Sequence, residues 1–123
     1  MSLVKDIGSY VTHYSEEVKQ RAKHLDQVRI AGKITQIRFP LMESKDDYLL
    51  SCYVFEVDDD VGSLMVYVSP MMFNHYREIL YKDNVVMFEG YVNVVTRELK
   101  GTIQRECSIV AYRAELIRGE THA

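Results

Sequence analysis

No apolar stretch in these 123 residues approaches the roughly 20 needed to span a bilayer. The opening MSLVKDIGSY has no basic region followed by an apolar run, so no signal peptide is expected. The two cysteines, Cys52 and Cys107, stand alone rather than in CxxC spacing. That disfavours a disulfide framework and a zinc site, and it suits buried free thiols in a reducing, cytoplasmic setting. Catalytic signatures are missing too. His13, His24, His75 and His122 are scattered with no HExxH, no serine sits in a GxSxG elbow, and no glycine-rich loop offers to cradle phosphate. No active site, metal or cofactor is expected. Nor is there an excess of positive charge: a net charge of −3 argues against gripping duplex DNA by electrostatics alone. Single strands stay open as partners, because stacking carries part of that energy and a local basic groove suffices.

What is present is one domain's worth of chain with a change of period near residue 28. Before it, YVTHYSEEVKQRAKHL (10–25) predicts an amphipathic helix capped by Ser15, with Val18, Ala22 and Leu25 on one stripe. From Val28 the period is two. Val28, Ile30, Gly32 and Ile34 alternate with a wetter set, Arg29, Ala31, Lys33 and Thr35. FPLMESKDD (39–47) reads as a loop, and YLLSCYVFEV (48–57) as a second strand. There Tyr53, Phe55 and Val57 face one way, and Cys52, Val54 and Glu56 the other. DDDVG (58–62) is a hairpin turn, using Asp and Gly for side-chain bonds and positive φ. SLMVYV (63–68) follows with Leu64, Val66 and Val68 inward and Met65 and Tyr67 outward.

Ser69-Pro70 opens a helix, serine as cap and proline at the first helical position, with Phe73, Tyr76 and Leu80 on one face. VVMFEGYVNVV (85–95) is a fourth strand, with Met87, Glu89, Tyr91 and Asn93 outward. TRELKG (96–101) is a hairpin loop, and TIQRECSIVAY (102–112) a fifth strand whose register the pattern leaves open. Three strands, a helix and two strands describe a mainly β chain, a five-stranded Greek-key OB-fold barrel with a helix between strands three and four. Gly32 and Gly90 mark sharply coiled points of such a barrel. The expected division is a helical linker segment at 1–27, the OB barrel at 28–112 and a tail at 113–123. Asp58, Asp59 and Asp60 are consecutive, so their side chains diverge, and no EF-hand spacing follows; a solvated turn is expected rather than a metal site.

Several stretches resemble one family. VRIAGKITQIR is similar to the first strand of the OB domain in bacterial DNA polymerase III alpha subunits. VDDDVGSLMVYVSPMMFNHYREIL is similar to that family's acidic turn, third strand and proline-started helix, and DNVVMFEGYVN to its fourth strand. DIGSYVTHYSEEVKQ resembles its linking segment, and the likeness spans roughly residues 6–110. The family usually carries a glycine and a proline around the histidine of that segment, whereas His13 is followed by Tyr14 and Ser15. Its first hairpin loop is typically rich in lysine, whereas Lys45 is the only base between Phe39 and Tyr48. The resemblance implies a divergent bacterial or phage member. Its parent would be a DNA-directed DNA polymerase, a nucleotidyltransferase of DNA replication, with the other domains of that parent as partners. The polymerase aspartates would lie elsewhere, so this fragment would hold no catalysis.

OB barrels offer strands two and three, with the flanking loops, to oligonucleotides. Tyr67 and Tyr91 are the expected stacking residues, with Tyr48 at the rim and Phe39 at the start of the first loop. Lys33, Arg38 and Lys45 would border one side of the groove, and Arg97, Lys100 and Arg105 the other. Val54, Met65 and Met87 dilute that face, which would also suit packing against the N-terminal helix or another protein. The alternatives are therefore an OB interaction module with little nucleic-acid affinity and a tRNA anticodon-binding domain. The latter usually has an aromatic residue where this chain has Val54.

Overall fold

A computed structural model describes residues 3–40 and 51–119. Two short helices, α1 (Leu3–Ile7) and α2 (Ser15–Arg21), precede β1 (Gln27–Arg38), β2 (Tyr53–Asp58) and β3 (Ser63–Val68). Helix α3 (Pro70–Tyr76) then leads into β4 (Val85–Leu99) and β5 (Thr102–Arg118). The strands close into a barrel in the order β1-β2-β3-β5-β4, antiparallel throughout except where β3 runs parallel to β5. No helix among the described residues is long and apolar enough to cross a membrane.

The period-two pattern builds the interior as expected. Val28, Ile30, Ile34, Phe55, Val57, Leu64, Val66, Val68, Val86, Phe88 and Val92 are all buried. Ser69 caps α3 by accepting the Met72 N–H at 3.1 Å, with Pro70 at the first turn. A Cβ on Gly32 would run into the Asp58 carbonyl, and one on Gly90 into the Val110 carbonyl. Both glycines therefore sit where neighbouring backbone passes too close for a side chain.

Other expectations are corrected. Helix α2 stops at Arg21; Leu25 lies outside it, exposed and at φ 72°. Ser15 is not the cap but the first helical residue, and it is buried. Val18 and Ala22 do enter the barrel core. Ala31 and Met87, expected on the outer face, are buried there beneath Leu3 and Ile7 of α1 in a second apolar cluster. They face each other across β1 and β4, so one short helix covers both. Cys52 is buried because it precedes β2 and escapes the strand's alternation, whereas Cys107 is half-buried; both are free thiols.

The solvated acid turn is corrected most sharply, since Asp59 is only 3% exposed. Positive φ in the turn belongs to Asp60 (71°), not to Gly62, whose missing side chain instead makes room for Ser15 and Glu16. Helix α3 ends at Tyr76, although Leu80 beyond it is buried. The fourth strand does not end at 95. The β4–β5 ladder runs on to Leu99–Thr102 and turns on Lys100 and Gly101 alone, at φ 53° and 78°. Two positive φ values are what a two-residue hairpin turn of matching twist requires. The fifth strand, expected to end at Tyr112, runs to Arg118.

Candidate nucleic-acid interface

Residues directly opposite one another on paired strands share a face. Reading the pairs around the barrel, Arg38 lies opposite Val54, Val54 opposite Tyr67, Tyr67 opposite Val110 and Val110 opposite Tyr91. One outer rung therefore passes through Arg38, Tyr67 and Tyr91 as it runs around all five strands, linking positions 53 residues apart at the extremes of the set. Arg38 reaches this face through the irregularity in β1 between Ile34 and Gln36, which shifts the alternation by one. The next rung holds Gln36, Glu56, Met65, Ser108 and Asn93.

Beyond these rungs β4 and β5 continue as a two-stranded ribbon, every residue of which is exposed from Val95 to Glu106. Where the ribbon leaves the barrel there is a groove of about 400 Å³ lined by Met65, Tyr67, Asn93, Val95, Arg97 and Glu106 to Ser108. Tyr67 and Arg97 thus share one groove. Arg97 is held by Glu106 at 3.4 Å, an exposed pair that solvent screens. An adjoining hollow of about 310 Å³ shares Met65, Glu106 and Cys107 with the groove and adds Lys19 and Arg105.

No known family model and no curated protein matches the sequence. Solved structures do match. The chain superposes on an OBody, AM3L09, bound to hen egg-white lysozyme, with a TM-score of 0.65 and 18% identity, over 89% of this chain and 97% of that one. It also superposes on the mitochondrial single-stranded DNA binding protein Rim1 of S. cerevisiae, with a TM-score of 0.60 and 15% identity, over 80% and 99% of the two chains. Asparaginyl-tRNA synthetase from Pyrococcus horikoshii gives a TM-score of 0.58 and 18% identity over 89% of this chain, which spans 23% of that enzyme. The barrel is an OB-fold.

On this OB barrel the remaining expected residues are dispersed. Phe39 is exposed, its ring edge-on to Tyr53 at 5.8 Å, and Tyr53 stacks on Phe73 of α3 at 3.9 Å. Lys33 lies opposite Asp58, toward the acidic turn, and pairs with Asp83 at 3.8 Å. Lys100 is at the ribbon tip. Arg105 turns toward α2, donating to the Val18 carbonyl at 3.4 Å and to the Cys107 sulfur at 3.3 Å. Lys45 and Tyr48 lie outside the described residues. Among the described residues no cluster of His, Cys, Asp or Glu is arranged to hold a metal ion.

Sequence reasoning passed over Lys19, and also Tyr112, whose ring lies 5.3 Å from that of Tyr91. An irregularity in the β4–β5 ladder at Tyr112 turns the next residue, Arg113, outward beside it, which no alternation of residues announces. The Tyr112 phenol is raised above its ordinary value, first by loss of water contact and then by the Glu89 carboxylate, which acts as a neighbouring charge and as a hydrogen-bond acceptor.

Proposed function

We propose that this chain is a single-stranded nucleic-acid-binding OB module, and that the strand is DNA. The observation that carries this reading is the placement of Tyr67 and Arg97 in one groove, with Arg38 and Tyr91 on the rung that passes through Tyr67. An aromatic ring in a groove bordered by a guanidinium group suits a strand whose bases stack while its phosphates meet charge. Rim1 carries the name of a single-stranded DNA binding protein, and the synthetase is a tRNA enzyme; both relatives keep the nucleic-acid reading in view. The resemblance to polymerase III alpha subunits supplies the finer reading: a domain of a replicative polymerase that holds the template strand and leaves the chemistry to other domains.

The test is fluorescence anisotropy of labelled oligo-dT with the whole chain at low and high salt. Binding that weakens with salt, with Tyr67→Ala and with Arg97→Ala supports the groove. No binding at high micromolar protein favours the protein-interaction reading, to which the apolar side chains of Met65 and Val95 in the groove and the lysozyme-bound OBody lend weight. A preference for a tRNA anticodon loop over oligo-dT favours the synthetase-like reading.

A further inference from the structure

A second cluster lies on the outer face formed by β1, β4 and β5. Gly90 pairs with Ala111 but Glu89 pairs with Arg113, so Tyr112 is an extra residue in β5. Such a bulge turns two successive side chains to one side and re-aims them. Tyr112 and Arg113 are accordingly both exposed, Tyr112 at 44%. Gly90 permits the bulge, because a Cβ there would meet the backbone of Val110 and Ala111.

The bulge gathers a set of contacts. Glu89 lies 3.6 Å from Arg29 Nε and 3.7 Å from Arg113 Nε. Gln27 Nε2 donates to the Tyr91 hydroxyl at 3.2 Å, and the Tyr91 ring buttresses that of Tyr112 at 5.3 Å. Between Thr12, Gln27, Arg29, Glu89 and Tyr112 is a hollow of about 240 Å³. Its charges balance: Arg29 and Arg113 face Glu89, and Arg113 also lies 3.8 Å from Glu115. A phosphate gains little there, whereas a flat, uncharged ring rich in donors and acceptors fits. Glu89 accepts from the Tyr112 hydroxyl, but the two arginines stand farther from it than a direct charge-assisted bond of about 2.7–2.9 Å, so the carboxylate keeps acceptor capacity for a ligand.

An acceptor-only carboxylate between two guanidinium donors is a pattern that distinguishes the bases. Guanine alone offers an imino and an amino N–H on one edge, with two acceptors, O6 and N7, beside them. Thymine would set its carbonyls against Glu89, and adenine has no imino donor. We propose that this hollow binds an unpaired guanine, stacked on Tyr112, with its N1 and N2 hydrogens on Glu89 and its O6/N7 edge toward an arginine. The inference deepens the single-strand reading and rests on it, but Tyr112 and Glu89 lie outside the Tyr67 groove, so the two are tested separately.

The experiment is a titration of the whole chain with dGMP, dIMP and dTMP, followed by backbone amide chemical shifts. Deoxyinosine lacks only the N2 amino group. The expected result is that dGMP shifts the amides of residues 89–91 and 111–113, that dIMP binds roughly 10- to 150-fold more weakly for the loss of one hydrogen bond to a charged group, and that dTMP leaves these amides in place. Glu89→Gln removes the distinction between dGMP and dIMP and leaves oligo-dT binding unchanged. Equal affinity for dGMP and dIMP in the unsubstituted protein overturns the proposal, as do shifts confined to the Tyr67 groove. A chain that binds dGMP at Tyr112 but ignores oligo-dT keeps the pocket and sinks the groove. Oligo-dT binding with no response to dGMP does the reverse.

Discussion

Asp59 accepts both the backbone N–H of Ser15, at 2.7 Å, and its hydroxyl, at 2.8 Å, across 44 residues of chain. The same carboxylate takes the N–H groups of Val61 and Gly62 at 3.0 and 2.9 Å, closing its own turn. Asp60 takes the Leu3 N–H, the first of α1, at 2.7 Å, and Asp58 takes the N–H of Asp60 at 2.7 Å. Three consecutive acids thus serve one turn and the starts of two helices, whose first N–H groups have no partner within the helix. The turn is the clasp that holds the N-terminal segment on the barrel.

Asp59→Ala leaves four donors without their acceptor in a buried site, and it should lower unfolding free energy by about 2–4 kcal/mol. Ser15→Ala removes only the hydroxyl and should cost about 1 kcal/mol. Urea melts of the two variants and their double mutant check both figures. The double mutant should be less destabilised than the sum, because both single substitutions remove the same hydroxyl–carboxylate bond.

The two glycine environments make opposite demands. Gly90→Ala drives a Cβ into the Val110 carbonyl and should cost about 3 kcal/mol, the upper range for overpacking against backbone. Gly101 has open space around it and only its φ of 78° to lose, so Gly101→Ala should cost about 1 kcal/mol and Gly101→Asn less. Denaturant midpoints separate the two, and Gly90→Ala should also disturb the amides around Tyr112.

For the groove, Tyr67→Ala should weaken oligo-dT binding by roughly 5- to 150-fold, the worth of one stacked base. Arg38→Ala should weaken it and flatten its salt dependence. Lys33→Ala should change it by less than about twofold. Lys33 stands five residues before Arg38 on β1, about 16 Å along an extended strand, farther than the screening length at physiological salt. Its charge is also met by Asp83. Anisotropy titrations at two salt concentrations check all three.

The chain has nine tyrosines, and Tyr112 should titrate above the ordinary phenol value near 10. Its protonated form is the one favoured in the folded state. Any stability this contributes is therefore present below the ordinary value and lost as pH rises through the raised one. Glu89→Gln removes the neighbouring negative charge and should move the titration back down. Phenolate absorbance against pH, compared between the two proteins, reads the shift directly.

Much of the barrel was legible because burial writes a local pattern. A strand with one face in the core must alternate, so β3 and the inward residues of β1 and the first half of β4 could be read from the pattern, as could the Ser69-Pro70 helix start. The Tyr67 placement followed from the same rule. Where neither face is buried the rule has nothing to act on, which is why 96–101, at the end of the exposed ribbon, read as a loop although β4 continues to Leu99. Where both faces are buried it misleads, as with Ala31 and Met87 under α1.

The sequence by itself determined the order of the five strands with a helix between the third and fourth, the inward set, and the glycines where backbones crowd, since each depends on a residue and its near neighbours. Only the tertiary structure decided that Asp59 clasps Ser15, that Arg38, Tyr67 and Tyr91 share one rung, and that a bulge sets Tyr112 beside Glu89. Those relations join residues far apart in the chain, through pairings and a one-residue slip that no local pattern encodes.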